Sequence, residues 1–139
     1  INNLSENLEE KILSITKNKG LDYIFDFTGN RSLQESCFKI LKKGIPGHSV
    51  GGTMAIIGFS YDNISFSSKN LLMNNQTIVG MRGGWCNPKV DFPKLINKIK
   101  NNSINVKEII TEQHELKNLN NVIKRFKNNE ILGRAVIKI

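Results

Sequence analysis

The sequence predicts an α/β fold built on the second half of a doubly wound parallel sheet. Three observations predict it. Leu21-Asp-Tyr-Ile-Phe-Asp-Phe-Thr-Gly29 reads as an apolar strand running into a turn of small residues. Thr53-Met-Ala-Ile-Ile-Gly-Phe59 repeats that pattern one helix later. Short loops on either side of that helix are what a right-handed crossover between parallel strands requires.

Each element follows in order. Residues 5–18 have helical spacing, with Leu8, Ile12 and Ile15 on one stripe. Ser5 is placed to cap that helix, and Glu6, Glu9 and Glu10 favour its positive end. Gly20 is expected to close it in a left-handed conformation. The strand 23–27 comes next. Ser32 and Glu35 have capping-box spacing for a second helix, whose stripe is Leu33, Cys37, Ile40 and Leu41 and whose stop is Gly44. Residues 45–52 read as a loop. The continuously apolar run 54–59 is expected to be a strand covered on both faces. Ile64-Ser-Phe66 alternates briefly, 69–74 reads as one or two helical turns, and 76–81 is a third strand ending at Gly80. Asp91 is expected to cap a helix with the stripe Phe92, Leu95, Ile96 and Ile99. A short strand at 108–111, a helix over 116–128 and a last strand at 135–139 complete the chain. The first half of such a sheet, with its Gly-rich loop, is expected upstream of Ile1, an unusual start residue, so the sequence reads as the C-terminal piece of a longer protein.

Composition narrows the function classes. The formal net charge is +8. The excess is mostly Lys spread over helical segments, without the interleaved aromatics that base stacking needs, so we expect solvated helix faces and no nucleic-acid surface. No apolar run approaches the roughly 18 residues of a membrane span, and no membrane association is expected. Asn pairs such as Asn74-Asn75, Asn101-Asn102 and Asn128-Asn129 fall at helix ends and loops and read as a compositional bias rather than a function. Cys37 and Cys86 cannot build a disulfide framework and have no metal-ligand spacing, which points to the reducing cytoplasm.

Ligands of open α/β sheets bind at the carboxyl ends of the strands. Those ends are Thr28-Gly29-Asn30 and Gly58-Phe59-Ser60. Their glycines either admit a ligand close to the backbone or serve tight turns, and spacing alone leaves both readings open. The Gly47–52 stretch feeds a strand instead of a helix, so it does not read as a phosphate loop. Arg134, alone between Gly133 and the last strand, could grip a pyrophosphate or form a surface ion pair, and Arg82 beside Gly83-Gly84 has the same standing. His48 and His114 read as surface residues. Asp22 and Asp26 flank one strand and read as structural. No acid–base dyad, Ser-His-Asp set or zinc constellation can be assembled.

Five stretches together resemble the C-terminal part of the medium-chain dehydrogenase/reductase superfamily, which includes zinc-type alcohol dehydrogenases and quinone oxidoreductases. They are Gly20-Leu-Asp-Tyr-Ile-Phe-Asp-Phe-Thr-Gly29, Leu41-Lys-Lys-Gly44, Gly52-Thr-Met-Ala-Ile-Ile-Gly-Phe59, Thr77-Ile-Val-Gly80 and Gly133-Arg-Ala-Val-Ile-Lys-Ile139. Residues 45–51 depart from the pattern as an insertion. The resemblance implies the second half of a Rossmann-type domain over residues 1–84 and a segment returning to the catalytic domain over 85–139. It implies NAD or NADP as cofactor, with Thr28, Gly29 and Asn30 near the adenosine half. Ile57, Gly58 and Phe59 would then lie near the nicotinamide, Met81, Arg82 and Gly83 would contribute backbone groups, and Arg134 would meet the pyrophosphate. It implies hydride transfer to or from an alcohol, aldehyde or quinone as the small-molecule substrate. Any zinc ligands would lie outside this chain. It also implies a homo-oligomer formed through residues 64–80, and helices over 91–101 and 116–128 that expose apolar surface. The alternative is a catalytically inactive fragment that serves as a dimerisation or structural module. Ile57-Gly-Phe59 with Asn70-Leu-Leu72 resembles the zinc-free branch, whereas the Arg134 ending also occurs in the zinc-dependent one.

Overall fold

The computed structural model describes residues 7–139. These residues fall into two compact units that divide between Trp85 and Cys86. The first unit runs α1 (Leu8–Ile15), β1 (Tyr23–Asp26), α2 (Arg31–Lys39), β2 (Thr53–Ile56), α3 (Ser68–Met73) and β3 (Thr77–Gly80). Its three strands form one parallel sheet in the order β1-β2-β3. Tyr23, Thr53 and Thr77 stand in one register row, and Phe25, Ala55 and Val79 in another.

The core lies on one face of this sheet. Ile24, Phe38, Ile40, Leu41 and Met54 are buried together, with Leu8, Ile12, Phe66 and Leu71 packed against them. The Phe38 and Phe66 rings meet at 5.0 Å between centroids. The other face of β1 is open in this chain: Tyr23, Phe25 and Phe27 are exposed, Phe25 at 58 %. The expectation of cover on both faces concerns the second strand, and there Met54 and Ala55, on opposite faces of β2, are both buried.

Helix boundaries differ from the sequence expectation for one physical reason, which is that Asn does most of the capping. Ser5 lies outside the described residues, and the Asn7 side chain accepts from Glu10 N at the start of α1. Asn30, not Ser32, caps α2 by accepting from Leu33 N at 3.0 Å. Glu35, freed from a capping box, pairs with Arg31 at 3.0 Å and accepts from Ser65 N. The α2 stripe is accordingly rotated: Gln34 and Phe38 are buried, while Leu33 and Cys37 are half-buried. α1 ends through left-handed Lys17 and Asn18, with Asn18 N donating to Leu13 O at 2.7 Å. Ile64–66 forms no strand.

Residues 45–51 close on themselves. Ser49 N donates to Ile45 O at 2.8 Å and Ile45 N to Ser49 O at 3.1 Å. Gly44 N and Gly51 N reach the Asn74 and Asn75 carbonyls at 2.7 and 2.9 Å. The segment thus leaves and rejoins the rest of the first unit at one point.

The second unit comprises α4 (Pro88–Lys100), β4 (Ile110–Glu115), α5 (Leu119–Lys127) and β5 (Arg134–Lys138). β4 and β5 pair in parallel with a bulge between Ile110 and Glu112. α4 begins three residues before Asp91: Asn87 is its cap, and Asp91 accepts from Asn87 N at 2.8 Å. The expected strand at 108–111 is displaced to β4, with a 3-10 turn over Val106–Ile109 before it. As expected, α4 and α5 leave Phe92, Leu95, Ile96, Ile123 and Phe126 exposed. No helix among the described residues is long and apolar enough to cross a membrane.

Candidate ligand groove at the strand ends

The turn after β1 is organised by Asp26. Its carboxylate is buried and accepts from Thr28 N at 2.9 Å, Thr28 Oγ1 at 2.6 Å, Gly29 N at 3.3 Å and Gln34 Nε2. Burial alone would raise this carboxyl, but the donors from Thr28, Gln34 and Gly29 outweigh it and hold it below the ordinary range. Asn30 N donates in turn to Thr28 Oγ1 at 3.1 Å. Asn30 Oδ1 accepts from Leu33 N and the Ser32 hydroxyl. The backbone N–H groups of Thr28, Gly29 and Asn30 are all engaged within the turn. Asp22 has a different environment: it is exposed and pairs with Lys42 at 2.7 Å.

β2 ends by hooking onto β1. Ile57 N and Gly58 N both donate to Asp26 O, at 2.9 and 2.8 Å. Packing alone requires both glycines. A Cβ on Gly58 would strike Gly29 N and the Phe27–Thr28 backbone, and a Cβ on Gly29, whose φ is +64°, would strike Phe59 O. Beyond them the Phe59 and Tyr61 rings meet edge to face at 4.7 Å, both exposed.

β3 is tied in through Met81 N, which donates to Ile56 O at 2.9 Å. Gly84 N then donates to Met81 O at 3.1 Å, and Gly83 and Gly84 both take positive φ, 57° and 65°. Between the ends of β2 and β3 lies a groove of about 720 Å³ lined by residues 56–59 and 80–83. Gly80 has no positive φ, and a Cβ on it would meet nothing within 4 Å. Gly29 and Gly58 are glycines because the fold has no room there; at Gly80 the missing side chain only keeps the groove wide. Gly80 is the last residue of β3, a place where glycine is equally common as a strand terminator, so the sequence carries no separate clue to its role in the groove.

Of the residues singled out from sequence, the groove brings together Ile57, Gly58, Phe59, Met81, Arg82 and Gly83. Thr28, Gly29 and Asn30 form the neighbouring turn and do not line it. Arg134 belongs to the second unit, where it opens β5 and its guanidinium folds onto Gly133 O at 3.1 Å. His114 is not a bare surface residue: Nε2 meets Glu112 at 2.8 Å, and Glu112 is gripped by Arg125 through two bonds of 2.7 and 2.8 Å. No group of three or more His, Cys, Asp or Glu side chains among the described residues could hold a metal ion.

The model of the zinc-binding dehydrogenase family matches residues 1–101. The chain belongs to that family. Among zinc-binding dehydrogenase relatives, alcohol dehydrogenase 2 of Tanacetum cinerariifolium is 28 % identical over 86 % of this chain and 30 % of its own length. The S-(hydroxymethyl)glutathione dehydrogenase of Komagataella pastoris is 28 % identical over 82 % of this chain and 28 % of its own. The chain thus spans under a third of either relative. The crystal structure of benzyl alcohol dehydrogenase from Acinetobacter calcoaceticus superposes with a TM-score of 0.80 over 99 % of this chain and 36 % of that one, at 18 % identity. That likeness shows the shared fold, the parallel-stranded C-terminal part of a Rossmann-type alcohol dehydrogenase.

Proposed function

We propose that the chain is part of an NAD(P)-dependent oxidoreductase that moves hydride between a nicotinamide and an alcohol, an aldehyde or a quinone. The observation that carries this is the groove at the carboxyl ends of β2 and β3, held open by a glycine that neither φ nor packing requires. The cofactor would supply the hydride chemistry, and this chain would orient it. Backbone groups of residues 57–59 and 81–83 would line the nicotinamide end. Thr28, Gly29 and Asn30 would form a preset wall towards the adenosine end, with their backbone N–H groups already engaged. For Arg134, the family resemblance supports a pyrophosphate role. NAD and NADP are both compatible with these residues. The described residues do not provide a zinc site, so no step is assigned to zinc. Residues 1–84 are the dinucleotide-binding part of this proposal and 85–139 its catalytic-domain part. A cytoplasmic site of action accords with the two free thiols.

The test is a titration of the bare chain with NADH, followed by amide shifts. We expect dissociation in the millimolar range, no turnover, and shifts concentrated at 57–59 and 81–83. Micromolar binding, or shifts that avoid the groove, would contradict the reading.

A second reading is favoured by the sheet order, which leaves β3 at an edge. An open parallel edge can pair with another copy, so residues 64–80 could make this chain a dimerisation module. Light scattering after size exclusion separates the cases, because a concentration-independent monomer removes the second.

A further inference from the structure

The groove wall is Ile, Phe, Met and Gly except at Arg82, the one charged side chain on it. Arg82 is exposed and makes no ion pair among the described residues. Its backbone is well fixed: Met81 N is bonded to Ile56 O, Gly84 N to Met81 O, and two left-handed glycines follow. The guanidinium is therefore mounted on a pinned turn beside a wall that Gly80 keeps clear. A planar fork of donors in an otherwise uncharged groove selects a planar or tetrahedral group of anionic oxygens, which it can hold through two parallel bonds.

We infer that Arg82 reads an anionic oxygen group, a carboxylate or a phosphate, on the ligand that occupies this groove, and so favours anionic over neutral ligands. The inference rests on the nicotinamide reading of the groove. The anion has two possible sources, the phosphate of the nucleotide or a carboxylate on the second substrate.

The full chain, labelled with ¹⁵N, is titrated with two matched pairs of probes. Reduced nicotinamide mononucleotide is set against reduced nicotinamide riboside, and benzoate against benzyl alcohol. The same titrations are run on Arg82→Gln and on Gly80→Val, with the amide spectra checking that each variant keeps its fold. We expect one anionic probe to bind about tenfold tighter than its neutral partner, the scale of one charge-assisted contact, and Arg82→Gln to erase that preference. A preference within the nucleotide pair identifies the phosphate; one within the benzoate pair identifies a substrate carboxylate. Equal binding within both pairs, or a preference that survives Arg82→Gln, overturns the role of Arg82 while shifts at the groove leave the nicotinamide reading standing. No groove shifts with any probe, or shifts that ignore Gly80→Val, overturn both.

Discussion

The two units are built from the same unit of structure, parallel strands joined through a helix, yet they differ in what they bury. The first encloses Ile24, Phe38, Ile40, Leu41 and Met54, with Met54 at 0 % exposure. In the second, Val122 is the sole buried hydrophobic residue among the described ones, at 6 %. Three strands flanked by three helices can close one face of a sheet. Two strands and their connecting helix cannot, and parallel strands ordinarily need cover on both faces. The second unit compensates with charge: Arg125 on α5 holds Glu112 on β4 through two bonds, and Glu112 also meets His114. One unit has an apolar core; the other has a partly exposed ion cluster, which lends it less.

The sharpest way to break this contrast is to cut both units where each is widest. Met54→Ala should cost about 2–5 kcal/mol by cavity formation. Phe126→Ala, at a side chain already 63 % exposed, should change stability by no more than about 0.5 kcal/mol. Urea unfolding read separately from amide signals of each unit checks the pair. A large loss for Phe126→Ala would mean that the second unit has a core of its own. Glycines give the next effect. Gly58→Ala forces a Cβ into the Gly29 backbone and should cost about 1–3 kcal/mol, as overpacking does. Gly80→Ala enters open space and should leave stability unchanged while narrowing the groove.

Acid separates the units by a different route. The Arg125 bonds, and then the His114 contact, pull the Glu112 carboxyl down from the ordinary 4.5 to about 2. A carboxyl with a lowered folded value contributes stability that is complete above about 4.5 and fades as pH falls towards about 2. The amide signals of β4 and α5 should therefore lose stability across that window in the wild type. In Glu112→Gln they should start weaker and change less over the same range. Identical acid profiles for the two proteins would remove Glu112 from the account of the second unit.

The strands were legible because continuous apolar runs between turn residues leave few alternatives: 23–27 and 76–81 contain β1 and β3, and 54–59 overlaps β2, which starts one residue earlier and ends at Ile56. The helix starts were not, because Ser5, Ser32 and Asp91 looked like stronger caps than Asn7, Asn30 and Asn87 in a sequence where Asn is everywhere. The Asn pairs read as a compositional bias, yet three of them end helices. Asn74, Asn101 and Asn128 are C-caps, and Asn75, Asn102 and Asn129 follow them at φ 52°, 59° and 57°. The groove was half legible. Residues 57–59 and 81–83 were marked by their place after strands, whereas Gly80 was read as a strand terminator, since sequence cannot tell a glycine forced by packing from one that leaves space.

These Asn caps supply the finest test of the contrast, because the same motif occurs in both units. Gln76 N reaches Leu71 O at 3.1 Å after α3, and Ser103 N reaches Lys98 O at 2.8 Å after α4, in each case across a left-handed Asn. The strain of that conformation is local to one residue, and Asn bears it better than a residue without a short polar side chain. Asn75→Ala and Asn102→Ala should each cost about 1 kcal/mol of backbone strain, with Asn75→Ala somewhat the larger because its Nδ2 also donates to Ser49 O at 3.3 Å. Losses of that order at both sites would place the difference between the units in core and ion cluster. A loss confined to Asn75→Ala would mean that α4 frays at its end already, and that the weakness of the second unit begins in its helices before it reaches its missing core.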